Sequence, residues 1–507
     1  MIANVQSYAL NGLEGVAVTV ETDVSRGVPA YEIVGLPDAA VKESKERVRS
    51  AIKNSALNFP IQKVTVNLAP AYVRKEGTAL DLPIAISLLA AEGDIKTDLS
   101  GIVFVGELAL SGDLRPITGV LPLLISAKEK GYHTFILPQA NASEASYVCG
   151  VNIYAAKNLR EVVDHLKGEK ALESVPAATF SAGKAQKSVH DLSFVKGQPI
   201  AKRALEVAVA GGHNILFVGP PGSGKTMLAR SIPSVLPEMQ FDEALEITKI
   251  HSVAGVLGED GIVSVRPFRT PHHTATTVSL CGGGNKSVHP GEISLAHGGV
   301  LFLDELPEYK RSALEALRQP LEDGVITISR AGGTVTYPAS FMLCASMNPC
   351  PCGNYGSEKR RCTCTPRDIR AYRARISGPL LDRIDIQVEV DGVEYDDLVS
   401  DEVGETSAAV KARADSARKI QRMRFDGSAV KTNAEMGAQE LREYCALSPE
   451  CEQVLKDAFE TLRLSARARA RILKVARTIA DLELSEEITA EHLYEAISYR
   501  TYGAGED

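Results

Sequence analysis

Apolar runs alternate with helical patterns through the first third of the chain. Residues 64–68 and 103–105 are short apolar runs typical of strands, and residues 134–138 form another that ends in proline. Residues 80–91 are largely apolar but too long for a strand, so they predict a buried helix. Because strands alternate with helices here, residues 1–165 are expected to form an α/β or α+β domain.

The pattern changes twice further along the chain. Residues 166–192 are mostly small and polar with little periodicity, which predicts a linker. A second α/β segment spans residues 193–395, and residues 396–507 have a charged, helical pattern without clear strands. In that last segment apolar residues recur at helical spacing at Ile472, Val475, Ala476 and Ile479. An α/β or α+β domain, then an α/β domain and finally an α-helical domain are therefore expected.

Composition and charge narrow the class of protein, its cellular compartment and its possible partners. The 507 residues suggest about three domains, and 44% hydrophobic with 24% charged residues is typical of a globular protein with a large core. Nine cysteines, without a secretory signal at the start, predict a reduced, cytoplasmic protein without disulfides. No apolar run reaches the ~18–20 residues of a membrane span, so no membrane association is expected. With a net charge of −8, any binding of nucleic acid requires locally gathered cations, for example in a channel.

A short apolar strand at residues 214–218 leads into a phosphate-binding loop, and a helical segment follows. The loop has the pattern G-x-x-x-x-G-K-T and consists of Gly219, Pro220, Pro221, Gly222, Ser223, Gly224, Lys225 and Thr226. Its glycines allow backbone N–H groups to point at phosphate oxygens, and the helix N-terminus adds a partial positive charge. Lys225 is expected to reach the β- and γ-phosphates and Thr226 to hold Mg²⁺. A glycine-rich turn before a helix is the alternative, but it does not require the full motif.

Two further apolar strands end in polar residues. The strand at residues 300–303 runs into Asp304, which suits a Mg²⁺ position, and Glu305, which suits a general base for the attacking water. A cap on an ordinary strand is the alternative for these acids. The strand at residues 341–347 ends before Asn348, whose amide could orient water and contact the γ-phosphate, although Asn-Pro is also a common turn signal. Together these residues predict an ATP-hydrolysing enzyme.

Three longer segments carry a family resemblance, at residues 266–274, 290–297 and 299–305. They resemble the magnesium-chelatase-like AAA+ ATPases, most closely the YifB/ComM branch, and the similarity covers nearly the whole chain. The resemblance implies ATP and Mg²⁺ as cofactors and a ring-shaped oligomer, expected to be a hexamer. It also implies movement on single-stranded or branched DNA, as a helicase or branch-migration motor in recombination or natural transformation.

The same resemblance implies roles for three polar residues. Asn348 matches the sensor-1 position. Residues 378–385 resemble the segment with the arginine finger, which points to Arg383, and residues 464–468 resemble the start of the sensor-2 helix, which points to Arg467. Either arginine would neutralise charge on the transferring phosphoryl group. A surface arginine on a charged helix or loop is the alternative for each.

The first domain resembles the proteolytic domain of Lon, a Ser–Lys protease with a ribosomal-S5-like fold. The similarity lies in residues 75–81 and 106–119. The nucleophile position aligns with Ala79 and the lysine position with Leu121, and neither side chain can attack a carbonyl or accept a proton. This domain is therefore expected to be a structural or binding module without protease activity.

Four cysteines cluster in a polar loop of the second domain, as two C-x-C pairs at Cys350, Cys352, Cys362 and Cys364. Four thiolates at this spacing suit tetrahedral Zn²⁺, and inert thiols are the alternative. The basic residues 359–361 lie inside the same loop. Contact with nucleic acid, contact with another subunit and an ordinary solvated face are all open for these basic residues.

Two insertions interrupt the phosphate-loop domain, a glycine-rich one at residues 281–288 and a second at residues 325–337. The second has two β-rich arms around a turn at residues 330–333. Both resemble the helix-2 insert and pre-sensor-1 hairpin of this AAA+ branch, whose tips face the ring channel. Lys286 and Arg330 would then present cations to DNA in every subunit. Ordinary exposed turns are the alternative.

Three functions are compatible with this motor core. The first is the DNA translocase already described. The second is a chelatase-type or chaperone-type ATPase that remodels a protein partner or assists metal insertion, and the fold alone does not separate it from the first. The third, an ATP-dependent protease, is disfavoured by Ala79 and Leu121.

Overall fold

The computed structural model describes most of the chain. The described residues are 2–72, 75, 77–183, 190–284, 288–330, 333–357, 360–392, 404–462 and 464–500. Within these ranges the protein is mixed α/β, with a parallel sheet and a helical C-terminal part. A search of the same ranges finds no helix long and apolar enough to cross a membrane.

The N-terminal part is built on a seven-stranded mixed sheet in the order β3-β4-β2-β1-β5-β8-β9. Its strands, and a small β6–β7 pair, are β1 (Ile2–Asn11), β2 (Glu14–Ser25), β3 (Ala30–Val34), β4 (Lys63–Ala69), β5 (Ile102–Phe104), β6 (Glu107–Leu108), β7 (Leu114–Arg115), β8 (Thr134–Pro138) and β9 (Asn152–Ala156). Its helices are α1 (Ala39–Asn54), α2 (Asp81–Glu92), α3 (Val120–Glu129), α4 (Ala142–Ala145) and α5 (Leu159–Lys167). The predictions of β4, β5, β8 and α2 are confirmed to within one residue at each end.

Buried and exposed positions explain how these elements pack. Along β2 the side chains of Val18, Val20, Thr22 and Val24 are buried while those between them are more exposed, the period of two expected of a strand with one face in the core. Helix α2 is buried almost throughout and packs across β1 and β2. Its continuous apolar sequence therefore reflects a central helix rather than an amphipathic one.

The second part is a five-stranded parallel sheet in the order β11-β14-β17-β10-β18. The strands here, including two hairpins, are β10 (Ile215–Val218), β11 (Phe268–Arg269), β12 (Gly282–Gly283), β13 (His289–Pro290), β14 (Val300–Leu303), β15 (Val325–Arg330), β16 (Gly333–Pro338), β17 (Met342–Met347) and β18 (Ile386–Glu389). The helices are α6 (Pro199–Gly211), α7 (Lys225–Val235), α8 (Phe241–Ala254), α9 (Thr277–Cys281), α10 (Glu292–Leu295), α11 (Arg311–Glu315), α12 (Pro320–Asp323), α13 (Pro366–Arg373) and α14 (Gly378–Leu381). Every residue of β10, β14 and β17 is buried, as expected for parallel strands covered on both faces.

The C-terminal part is helical, as the sequence predicts. It contains α15 (Ser407–Arg424), α16 (Ala438–Tyr444), α17 (Pro449–Thr461), α18 (Ala466–Leu482) and α19 (Ala490–Ser498). Ile472, Val475, Ala476 and Ile479 are buried on α18, which packs against α6 and α19. They share one hydrophobic core with Ile215 and Phe217 of β10, so the helices are packed on the parallel sheet rather than tethered to it.

The segment predicted as a linker is partly packed in its described portion. Val175 N donates to Ile153 O at 2.8 Å, and Gly183 N donates to Ser264 O at 2.9 Å. The rings of Phe180 and Phe241 lie 5.7 Å apart. This stretch therefore runs along the first sheet and onto α8.

The first domain also contacts α8 directly through a buried carboxyl group. Glu144 on α4 accepts a hydrogen bond from Leu121 N at 2.8 Å and another from the Ser252 hydroxyl at the end of α8. Burial raises the pKa of Glu144. The β1–β2 turn reaches the second hairpin, since a Cβ on Gly12 would lie 2.7 Å from Val335 Cγ1. The N-terminal part and the second part are thus in contact at α8 and at β16.

Candidate nucleotide site and thiol cluster

The carboxyl ends of three parallel strands bring the predicted nucleotide residues together. Val218 at the end of β10 is level with Met347 on β17, and Leu303 of β14 is level with Ala345. The loops that follow these strands therefore start at one edge of the sheet, where ligands of open α/β folds bind. Gly219, Asp304 and Asn348 lie at that edge.

The phosphate loop has the backbone that its glycines predict. Gly222 and Gly224 have φ values of +80° and +90°, a left-handed conformation that residues with a Cβ rarely adopt. Gly219 lies so close to the Val390 carbonyl that a side chain would clash. Helix α7 begins at Lys225, so its N-terminal N–H groups face the loop. Such a loop at a helix N-terminus forms an anion-binding site.

Lys225 lies folded against this loop. Its Nζ donates to Gly219 O and Pro220 O, each at 2.7 Å, and is 3.4 Å from Asn348 Oδ1. Burial lowers the pKa of Lys225 to about 8, and the charge of Asp304 opposes this only in part. Phosphate oxygens at the same place would favour the charged form.

Thr226 and Asp304 form the expected metal-side pair. Thr226 Oγ1 donates to Asp304 Oδ2 at 3.1 Å. The other carboxylate oxygen, Oδ1, accepts from the Ser346 hydroxyl on β17 and from Glu305 N at 3.2 Å. A hydroxyl and a carboxylate held together in this way suit Mg²⁺, a hard cation that takes oxygen ligands.

Glu305 projects from a strained position beside them. Its φ is +54°, uncommon for a residue other than glycine, and its side chain is 58% exposed. Oε2 lies 3.5 Å from His273 Nδ1. The His273 ring lies tilted against the His272 ring, with 4.1 Å between ring centres, and meets the edge of Tyr309. The Tyr309 hydroxyl donates to Pro271 O at 2.6 Å. The carboxylate is thus free to meet solvent, with one histidine beside it.

His273 is a residue of this site to which sequence reasoning gave no role. It lies in the segment 266–274, which carries the family resemblance but predicts no site residue from its own pattern. A histidine after a short strand has no signal of its own in the pattern of the chain. Its place beside Glu305 follows from β11 pairing with β14, a neighbour relation that only the fold supplies.

The two predicted arginines lie at the opposite edge of the sheet. Arg383 lies just before the amino-terminal end of β18, and the phosphate loop follows the carboxyl-terminal end of β10. Because β18 and β10 are parallel, these two ends are on opposite sides of the sheet. The four residues of β10 separate these ends by about 13 Å. Arg467 stands exposed in the first turn of α18. Burial lowers the pKa of Arg383, and the charges of Arg318 and Arg467 add to this effect. The structure therefore groups the two arginines together and away from Lys225 of the same chain.

Arg383 also borders an open recess. It donates to Pro379 O at 2.7 Å and pairs with Glu322. The recess has a volume of about 400 Å³ and is lined by Glu315, Arg318, Gln319, Glu322, Asp323 and Arg383. A charged recess at the far edge from the phosphate loop suits contact with another macromolecule rather than with the nucleotide of the same chain.

The described parts of both predicted insertions form antiparallel strand pairs. Strands β15 and β16 pair from Val325↔Pro338 to Arg330↔Gly333. Gly282 of β12 lies against Ile328, and the Tyr337 hydroxyl donates to Val288 O at 2.7 Å, so the two insertions pack together. Lys286 and the side chain of Arg330 lie outside the described residues, as does Lys359 of the cysteine loop.

The four clustered cysteines converge. Their sulfur atoms all lie within 4.8 Å of one another. Cys350 Sγ is 3.4 Å from Cys352 Sγ and 3.7 Å from Cys362 Sγ, and the last two are 3.6 Å apart. Backbone N–H groups of Thr363 and Asn354 lower the pKa of the Cys352 thiol to about 5, which favours its thiolate form, whereas desolvation and the neighbouring cysteines raise the pKa of Cys362 and Cys364. Convergence of this kind argues against four unrelated thiols.

Ala79 and Leu121 lie in apolar surroundings. Leu121 is fully buried in a hydrophobic cluster with Val120, Leu124 and Phe135, and Ala79 packs against the same cluster. Peptide hydrolysis by a Ser–Lys pair requires a hydroxyl nucleophile and an amine base. An apolar cluster at this place offers neither a nucleophile nor a base.

Comparison with known proteins now decides the family. Family models of the magnesium chelatase subunit ChlI match residues 20–141 and 191–398, and a model of its C-terminal part matches residues 404–500. The chain is 45% identical over 501 residues to the uncharacterized protein YifB of Escherichia coli K12, covering 98% of this chain and 96% of that protein. It is 44% identical over 506 residues to the competence protein ComM of Haemophilus influenzae, covering 98% and 97%. The chain belongs to the YifB/ComM family of magnesium-chelatase-like proteins.

Similarity to the chelatase itself is more limited. The magnesium-chelatase 67 kDa subunit of Chlorobaculum parvum is 29% identical over 161 residues, which is 31% of this chain and 23% of that protein. The YifB/ComM family shares with it an AAA+ ATPase core of the magnesium-chelatase type. ATP and Mg²⁺ are accordingly the cofactors of this YifB/ComM protein.

Proposed function

We propose that this protein is a ring-forming motor that uses ATP hydrolysis to move on single-stranded or branched DNA. The observation that carries the proposal is the similarity to competence protein ComM along almost the whole of both chains. Competence is the uptake of external DNA, and a motor acting there would drive strand exchange or branch migration. The two packed hairpins support the proposal, because paired insertions can carry cations into the channel of a ring.

Each residue at the carboxyl edge of the sheet has a place in hydrolysis. Lys225 would neutralise the β- and γ-phosphates, and Asn348, within 3.4 Å of Lys225, would contact the γ-phosphate and orient water. Glu305 would take the proton of the water that attacks the γ-phosphorus while the bond to the β-phosphate oxygen breaks. Bound through Thr226 and Asp304, Mg²⁺ would supply neutralisation of the phosphate oxygens.

The arginines complete the site from a neighbouring subunit. Arg383 lies just before β18, at the opposite end of the parallel strands from the phosphate loop of its own chain, and Arg467 is near enough for its charge to act on Arg383. A closed ring places the edge of one subunit against the next, so both would act in trans on the phosphoryl group. This arrangement requires an oligomer, and we propose a hexamer.

The first domain has a binding or structural role. We propose that residues 1–165 form an inactive domain of the Lon type with the ribosomal-S5-like fold. They are joined by residues 166–192 to the ATPase core at 193–395 and the helical lid at 396–507. The apolar surroundings of Ala79 and Leu121 support the loss of protease chemistry. The contacts of this domain with α8 and β16 suit a domain that braces the ring.

Zn²⁺ fits the thiol cluster. A tetrahedral site with Zn–S bonds of about 2.3 Å places its sulfurs about 3.8 Å apart. The Sγ–Sγ distances among Cys350, Cys352 and Cys362 are 3.4, 3.6 and 3.7 Å, and Cys364 Sγ lies in the same group. Bound zinc would supply structural closure of the loop, with the four cysteines as thiolate ligands. We propose one zinc ion per chain.

A motor that remodels a protein partner, of the chelatase or chaperone type, is the second candidate. The partial match to the chelatase 67 kDa subunit favours it, but that match covers only 31% of the chain. The two candidates differ in what occupies the ring channel, so the hairpin tips separate them.

The test uses the two cations assigned to the hairpin tips. Lys286→Ala with Arg330→Ala should leave basal ATP hydrolysis largely intact, weaken DNA binding, and reduce its salt dependence by about one counterion per lost contact. Lys419→Ala, on the exposed face of α15, is the matched control and should change neither property. If the double variant binds and unwinds DNA like the wild type, the remodelling motor becomes the better account.

A further inference from the structure

The thiol cluster lies directly against the phosphate loop. Cys350 follows Asn348 by two residues, and the chain then turns back so that Gly353 meets Pro221. A Cβ on Gly353 would lie 2.5 Å from Pro221 Cδ and 2.8 Å from Pro221 Cγ, closer than atoms can pack. The cysteine loop therefore packs directly against Pro221, the second proline of the phosphate loop.

The cysteines determine where Gly353 sits. Gly353 N donates to Cys350 O at 3.0 Å, within the turn that begins at the first cysteine. Cys352 N points at Cys364 Sγ at 3.4 Å, and Tyr355 N points at Cys350 Sγ at 3.3 Å. Hydrogen bonds to the ligands of a metal fix the orientation of those ligands, so here the sulfurs and the backbone that donates to them are held together. Closure of the four thiolates thus fixes the backbone on both sides of Gly353.

The loop is also anchored to the strand end that carries Asn348. Arg373 of α13 donates to Pro349 O at 3.3 Å, and its guanidinium lies 5.2 Å from the centre of the Tyr355 ring. On the other side of the contact, Pro220 O accepts from Lys225 Nζ. A chain of direct contacts therefore runs from the thiol cluster through Gly353 and Pro221 to the lysine of the nucleotide site.

We propose that the metal-closed cysteine loop is a positioning element of the nucleotide site, which holds the phosphate loop in its ATP-binding conformation. The proposal rests on the assignment of zinc to the thiol cluster. Loss of the metal frees Gly353 to move from Pro221, the loop that cradles the phosphates loosens, and affinity for ATP falls. The ATPase then depends on metal supply although the metal does not touch the nucleotide.

Two glycines of the same loop allow a matched test. Gly353 and Gly356 have nearly equal φ values, +78° and +76°, so replacing either by alanine imposes similar backbone strain. Nothing lies within 4 Å of a Cβ on Gly356, whereas a Cβ on Gly353 meets Pro221. Both variants keep all four cysteines. Zinc content and thermal unfolding of each are measured first, and then the KM and kcat for ATP.

The expected result is a KM about tenfold or more higher in Gly353→Ala, with a smaller change in kcat, since the substitution displaces the cradle rather than the general base. Gly356→Ala should match the wild type. Removing zinc from the wild type with a chelator, or by Cys362→Ser, should raise KM in the same way. Zinc removal should add little in Gly353→Ala, because the contact is already lost.

The outcomes separate the two assignments. A zinc-loaded Gly353→Ala with the KM of the wild type overturns the positioning role and leaves the zinc site intact. Metal-free purified protein with normal ATP affinity overturns the zinc assignment and the inference together. Equal KM increases in Gly353→Ala and Gly356→Ala would show backbone strain rather than the contact with Pro221, and would also overturn the inference.

Discussion

Raising the pH from 7 to 9 should weaken binding of ATP, because Lys225 loses its proton in this range. Lys225 Nζ is buried among Gly219 O, Pro220 O and Asn348, with Asp304 as the nearby carboxylate. Burial lowers its pKa to about 8 in the free protein. Negatively charged phosphates must raise that pKa on binding, because they favour the ammonium form. Proton uptake and ATP binding are therefore linked.

The magnitude follows from the pKa. If only the ammonium form binds ATP, the apparent Kd scales as 1 + 10^(pH − pKa), a factor of about 1.1 at pH 7 and about 11 at pH 9. Affinity should therefore fall about tenfold between these pH values, equivalent to about 1.4 kcal/mol. At pH 8, where half of the lysines are neutral, binding should take up about 0.5 proton per site.

Isothermal titration calorimetry with a non-hydrolysable ATP analogue measures both quantities. Buffers of different ionisation enthalpy give the proton uptake, and a pH series gives Kd. Lys225→Arg serves as the control, because its side chain keeps its charge throughout and should show no uptake. An affinity that stays constant from pH 7 to 9, with no proton taken up at pH 8, would refute the buried environment assigned to Lys225.

Three further predictions concern turnover, assembly and the first domain. Glu305→Gln should bind ATP but lose turnover by about 10²-fold or more, since the base is lost and the phosphate loop is kept; near-normal turnover would contradict its role. Arg383→Ala should cost on the order of 10³–10⁵ in rate, and mixing it with Lys225→Ala subunits should restore part of the activity; confirmed mixed oligomers without recovery would argue against action in trans. No peptidase activity is expected with Ala79 and Leu121 in place, and casein cleavage that disappears when residues 1–165 are deleted would show the opposite.

The residues of the nucleotide site could be predicted because its chemistry requires particular residue types at fixed spacing within short continuous segments. Phosphate cradling requires glycines and a lysine at fixed spacing after a strand, and the strands themselves are fully apolar because both sheet faces are covered. The same reasoning placed Asp304 and Glu305. Their hydrogen-bond partner Ser346 was not predicted, since a serine inside an apolar strand carries no signal by itself.

Relations between distant segments could not be predicted from periodicity. The β1–β2 hairpin was missed, because strands half exposed to solvent carry polar residues at alternate positions and have a weak apolar signal. The contact of Gly353 with Pro221 depends on how the cysteine loop folds back, and no pattern in the cysteine loop or the phosphate loop predicts it. The position of Arg383 relative to the phosphate loop likewise depends on β18 pairing with β10, which the order of segments along the chain does not determine.

The most direct test of the proposed motor is the rate of ATP hydrolysis by the full-length protein, measured with no DNA and with single-stranded, duplex or branched DNA. Glu305→Gln, measured in parallel, gives the background from contaminating ATPases. We expect single-stranded or branched DNA to raise the rate several-fold above the DNA-free value. The rate of Glu305→Gln should stay at the background value with every form of DNA. A rate that is the same with every form of DNA as without it would contradict a DNA motor and would leave an ATPase that remodels a protein partner.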